Sequence, residues 1–182
     1  MIDLFKGDLV WLSPVHRDSV AHYVRWMRDY EVRRLIEDDV IGPLTLESQE
    51  AWFDEAAKSK DLYLFDIRTL ADDLLIGNCS LYNLDTKNRS AELGIVIGEK
   101  PYWGKGYGSD ATRLILRFAF MELNLNRVSL SVFGFNERAV RAYQKVGFVH
   151  EGVARQAVFR EGRYHDVHLM GLLRDEWLPG RL

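Results

Sequence analysis

Hydrophobic and polar positions change period several times along this chain, and each change marks an element. "DLVWLSP" is apolar and ends on Pro14, which predicts a first strand. In "HRDSVAHYVRWMRD", Val20, Tyr23, Val24 and Met27 recur at helical spacing. A less regular stretch carries an acidic cluster, Glu37 to Asp39. Thr45 is then placed to cap a second helix, "TLESQEAWFDEAAKS", with Trp52, Phe53, Ala56 and Ala57 as its stripe. "DLYLFDIRT", "LLIGNCSLYNLD" and "SAELGIVIG" are β-rich and joined by short segments, which predicts antiparallel neighbours.

The third of these runs into "PYWGKGYGSDA", with glycines at 104, 106 and 108, and then into a helix. Ala111, Leu114, Ile115, Phe118 and Ala119 give that helix one buried stripe. "RVSLSVF" reads as a strand. "NERAVRAYQKVGF" reads as a helix capped by Asn136, with Ala139, Ala142, Tyr143 and Val146 inward and Gly147 at its end. Two strands around "EGR" follow. The order is β-α-α-β-β-β-α-β-α-β-β. It predicts one α+β domain over 1–182: a mixed, mostly antiparallel seven-stranded sheet flanked by about four helices.

Composition narrows the class. With 182 residues, 47% of them apolar, the chain can bury a proper core. No apolar run approaches the ~20 residues of a membrane span, and the start lacks the pattern of an export signal. Cys79 is the only cysteine, which excludes an internal disulfide and fits a reducing, cytoplasmic setting. The net charge of −3 conceals a division. Residues 1–100 hold 12 basic and 19 acidic side chains, whereas 101–148 hold 7 and 3. An anion pole beside an acidic half is one reading and scattered surface charge the other; the total is too acidic for a typical nucleic-acid binder.

A glycine-rich loop before a helix directs unpaired N–H groups at a would-be anion. The P-loop pattern is absent. Gly106, Gly108 and Ala111 satisfy the dinucleotide spacing, but antiparallel strands precede the loop and no acidic residue ends the following strand. His165 and His168 are three apart on a strand, hence on opposite faces, which argues against a metal site. Cys79 sits mid-strand with no neighbouring base, as a small buried thiol would. Trp26, Trp52 and Trp103 are candidates for a pocket wall or for core packing.

The glycine loop, the helix and strand after it, and "NERAVRAYQKVGF" together resemble the GNAT superfamily of N-acetyltransferases. That family's loop is usually written Arg/Gln-x-x-Gly-x-Gly/Ala. Here Trp103 takes the first position, ahead of Gly106 and Gly108. "YWGKGYG", the motif Asn136-x-x-Ala139-x-x-x-Tyr143-x-x-x-Gly147-Phe148 and the tail "FREGRYHDVHLMGLL" are similar to the branch of ribosomal-protein and polyamine acetyltransferases. The order of elements matches over nearly the whole chain, and the motifs fall within 91–173.

The resemblance implies acetyl-CoA as co-substrate, no metal and a primary amine as acceptor: a polyamine, an amino-sugar or a protein N-terminus. Trp103, Gly104, Lys105, Gly106, Tyr107, Gly108 and Ser109 would cradle the pyrophosphate. Ile95, Val96 and Ile97 would pair with the pantetheine arm where their strand splays from the next. Lys105, Arg138, Arg141 and Lys145 either reach the 3′-phosphate or stand in solvent, with Lys145 at the family's cofactor-side position. Tyr143 would protect the departing thiolate, and Glu92 would take a proton from the amine directly or through water. Asn136 would aim the cofactor-side loop as a cap. No nucleic acid or membrane is expected as partner; homodimers are common in the family, but no stretch of this sequence announces an interface. The alternative reading is a non-catalytic CoA-binding module of the same fold.

Overall fold

The computed structural model describes residues 3–177, so the reading of one domain over 1–182, like that of the chain start, reaches outside the described residues at its ends. Seven strands form one sheet: β1 (Val10–Pro14), β2 (Tyr63–Thr69), β3 (Leu75–Asp85), β4 (Ser90–Ile97), β5 (Arg127–Phe133), β6 (Val149–Arg160) and β7 (Arg163–Leu173). Their spatial order is β1-β2-β3-β4-β5-β7-β6. Every neighbouring pair is antiparallel except β4 and β5, whose chain must cross over through a helix to run parallel.

That crossover helix, α4 (Tyr107–Arg117), buries Ala111, Leu114 and Ile115, and the stripe continues through Phe118 and Ala119 in a single wide turn, Phe118–Glu122. Each large side chain buried there stabilises the fold by roughly 1.5–3 kcal/mol. Helix α5 (Glu137–Val146) starts where Asn136 accepts a hydrogen bond from the Ala139 N–H. It stops at Gly147, whose φ of +114° suits a residue without Cβ. β6 and β7 form a long hairpin through Glu161 and Gly162, both at positive φ.

Helix α1 (Ser19–Arg28) turns Val20, Tyr23, Val24 and Trp26 inward. Trp26 takes the buried place that periodicity assigned to Met27. Ser19 and Tyr23 both donate to the carboxylate of Asp66, at the centre of β2, which pins the helix to the sheet. Helix α3 (Leu46–Ala56) is capped by Thr45 as expected, but none of its residues is buried and Trp52 is 44% exposed. It lies outside α1 rather than on the sheet, so its stripe meets mostly solvent. Two four-residue helices, α2 (Tyr30–Arg33) and α6 (Arg174–Trp177), were too short to show a period.

Candidate functional site

β4 and β5 pair at three positions only, Ser90 with Arg127, Ala91 with Val128 and Glu92 with Ser129. Beyond Glu92 they part, and a cleft of about 530 Å³ opens between them. The Gly98 N–H donates to Ile76 O on the β3 side at 2.9 Å. Antiparallel alternation then turns the even-numbered main-chain groups of β4 toward β3 and those of Leu93, Ile95 and Ile97 toward the cleft. The side-chain N–H of Trp103 confirms the phase by donating to Ile97 O at 2.6 Å. The Ile95 main chain and the Ile97 N–H therefore offer an open edge. Val96 lines the cleft with its side chain while its main chain serves β3.

The glycine loop closes one end. Gly104 and Gly106 sit at φ +71° and +94°, a region that strains any residue with a Cβ. Gly106 is the first cap of α4 and no side chain caps that helix. The Asp110 N–H bonds Gly106 O, so the N–H groups before it, to Ser109, have no partner within the helix. Gly108 and Ser109 line the cleft beside them. Thr112 donates to Gly108 O at 2.7 Å and fixes the first turn.

Sequence reasoning missed Asp110. Buried in that first turn, its carboxylate accepts from three consecutive N–H groups, of Asp8, Leu9 and Val10, at 3.0, 2.8 and 3.1 Å. The approach of the N-terminal segment to the loop is thereby set. Only the positions of these partners in space, about a hundred residues apart, reveal the contact.

Helix α5 walls the opposite side. Asn136, Arg138, Tyr143 and Lys145 all line the cleft. Tyr143 is 9% exposed, edge-on to Phe148. Burial, and next the nearby Tyr82, push its phenol well above the ordinary value, so it stays protonated. Arg138 is only partly exposed. Its guanidinium lies 3.8 Å from the centre of the Trp103 ring.

Glu92, Lys105 and Tyr107 are not brought into the cleft wall. Lys105 is exposed at the loop tip, and Tyr107 turns to stack edge-on against Tyr102 at 4.9 Å. Glu92 accepts a hydrogen bond from the Asn83 side chain at 3.0 Å. Between it and the cleft stands Tyr82, its register partner on β3, which does line the wall. The Tyr82 ring leans across Gly94, where a Cβ would meet it at 3.4 Å. Burial first, then the neighbouring Glu92 carboxylate, raise the Tyr82 phenol; the charge of Asp38 adds to this. No sequence period marks a strand residue that reaches over its neighbour, so Tyr82 was missed too.

Cys79 is fully buried, and burial raises its thiol. His168 meets His150 at 2.8 Å, while His165 packs on Phe135, so the two histidines do diverge. Among the described residues no helix is long and apolar enough to cross a membrane.

A family described as the acetyltransferase (GNAT) domain matches residues 10–149. The chain is 31% identical over 140 residues to YokL, a prophage-derived N-acetyltransferase of Bacillus subtilis, covering 77% of each chain. It is 34% identical over 140 residues to the spermidine N(1)-acetyltransferase of Vibrio cholerae, covering 70% of this chain and 80% of that one. The fold superposes on the crystal structure of a Vibrio cholerae spermidine N-acetyltransferase in complex with CoA and spermine. The TM-score is 0.85 at 25% identity, over 93% of this chain and 98% of that chain.

Proposed function

We propose, from the premise that this chain belongs to the GNAT acetyltransferase family, that it moves the acetyl group of acetyl-CoA onto a cationic primary amine by direct attack. One observation carries the reading. A single cleft joins an open strand edge, the Ile95 main chain and the Ile97 N–H, to the uncapped N-terminus of α4. The strand edge suits the amide-bearing pantetheine arm, and the helix end suits a diphosphate. Ser109 and Asn136 border the same space.

The co-substrate supplies an activated thioester, and the chain supplies the proton traffic. The acceptor ammonium gives a proton to the Tyr82 oxygen while Tyr82 passes its own to Glu92, so the phenol stays neutral. The free amine nitrogen forms the new C–N bond as the C–S bond breaks. The departing thiolate takes the Tyr143 proton, and the surplus proton on the new amide nitrogen restores Tyr143. One proton is released overall, through Glu92. A main-chain N–H on the open edge of β4 stabilises the oxygen that gains charge.

Acceptor choice follows from the opposite rim. Val32, Leu35 and Ile36 line the cleft there, and the acidic stretch from Glu37 to Asp39 leads away from them. Asp38 is near enough to act on Tyr82. The Asp38 charge beside the cleft favours an acceptor with a second positive charge, such as a polyamine. The test is thiol release from acetyl-CoA across a panel of amines. Spermidine and spermine are expected to outpace monoamines and amino-sugars. CoA binding without release over any amine would instead favour a non-catalytic CoA-binding module.

A further inference from the structure

We propose that Arg138, held flat on the Trp103 ring, is a second seat for the diphosphate of the ligand that fills this cleft. The proposal rests on the acetyl-CoA reading above and deepens it by assigning a binding role to a residue outside the glycine loop.

The environment of Arg138 is unusual for an arginine. It lies in the first turn of α5, where the helix dipole disfavours a cation. Among the described residues it has no carboxylate within ion-pair distance, whereas Arg141, one turn on, pairs with Glu137 at 3.0 Å. Burial lowers its pKa from the ordinary arginine value, opposed only by the charge of Glu31. A half-buried guanidinium without a counter-charge loses hydration and gains little in return.

The Trp103 ring gives it a fixed position. Stacking on an aromatic face at 3.8 Å is favourable and leaves the edge of the fork, with its N–H donors, free to point elsewhere. The ring itself cannot swing away, because its N–H is bonded to Ile97 O at the end of β4. Trp103 also directly precedes Gly104, so the guanidinium is held beside the loop whose N–H groups await an anion. Gly104, Gly106 and Arg138 all line the same cleft. The partly charged amide donors at the start of α4 and a planar fork around one space match the oxygens of a diphosphate.

The test measures affinity for CoA, for dephospho-CoA, which lacks the 3′-phosphate, and for pantetheine, which has no phosphate. Calorimetry serves the first two and NMR titration the third. Arg138→Gln is expected to weaken CoA and dephospho-CoA alike, on the order of 10- to 100-fold, and to leave pantetheine unchanged. Trp103→Leu should reproduce most of that loss, and adding Arg138→Gln to it should cost little more, because the two act as a unit. Trp103→Phe, which keeps a ring face, should retain the Arg138 contribution. A penalty confined to CoA would move Arg138 to the 3′-phosphate and overturn the proposal. A penalty that persists for pantetheine would reduce Arg138 to packing, and strictly additive losses would remove the shelf. Failure of the unaltered protein to bind CoA would sink the acetyl-CoA reading itself, a separate result.

Discussion

Tyr143 and Tyr82 face one cleft from α5 and β3, and they were not equally visible in the sequence. Tyr143 stands in a motif whose spacing is fixed by one helix, so its number in the chain already implies its direction. Tyr82 sits in an alternating strand, and alternation says which face it takes but not whether the sheet has split nearby. Arg138 was indistinguishable from Arg141 for a similar reason: only the fold brings Trp103 under it. The roles predict different variants. Tyr143→Phe should lower kcat by about 10²- to 10⁴-fold, the usual range for a lost proton donor, with CoA affinity within about twofold of the parent. Equal turnover would remove Tyr143 from the chemistry. Tyr82→Phe and Glu92→Gln should both lower kcat/KM most near pH 7, where the acceptor arrives protonated. Toward pH 9 the deficit should shrink, since more amine is already neutral. A loss that does not vary with pH would leave Tyr82 as a shaping residue only.

At the level of elements, the stripes of α4 and α5 were legible because each helix packs its stripe on the sheet. The stripe of α3 misled because that helix packs on α1 instead. The junction between α1 and the end of β4 was also illegible, since it depends on one glycine. A Cβ on Gly98 would fall 2.0 Å from the Trp26 ring, which lies directly on the backbone there. Trp26 donates from that place to Glu99 at 2.9 Å, Arg25 pairs with Glu99, and Lys100 bonds Asp29 at 2.7 Å. The same few residues lead into Trp103 and the glycine loop. Gly98→Ala must push the indole off the strand, an overpacking cost of about 1–3 kcal/mol. Denaturant midpoints should fall accordingly, and CoA affinity should fall with them because the loop is displaced. An unchanged midpoint would show that α1 docks without this contact. Gly42→Ala, where a Cβ meets nothing within 4 Å, is the matched control.

Across the whole molecule, the acidic N-terminal part and the basic block from 101 to 148 were visible as composition, and of their charged residues Arg138, Arg141 and Lys145 of the basic block line the cleft. The position of the cleft was less visible. It depends on the one parallel pairing in the sheet ending after three residues, which no local pattern records. The interior carries a pH dependence of its own. Tyr23, Cys79 and Tyr143 are buried, and burial is the largest cause raising each above its ordinary value. In the unfolded chain a cysteine releases its proton near pH ~8.5 and a tyrosine near ~10. The native state keeps those protons at such pH, so it binds more of them than the unfolded state. Stability then falls as pH rises. These contributions are fully present below the unfolded values, and each group lost this way costs about 1.4 kcal/mol per further pH unit. Denaturation series should therefore show a flat optimum through neutrality, a decline starting between pH ~8.5 and ~10 and a steeper one above ~10. Cys79→Ala should lower stability throughout, through lost packing, yet delay the onset to the tyrosine range. A midpoint that stays level to pH ~11 would mean that these three groups ionise in the native state as readily as in the unfolded one.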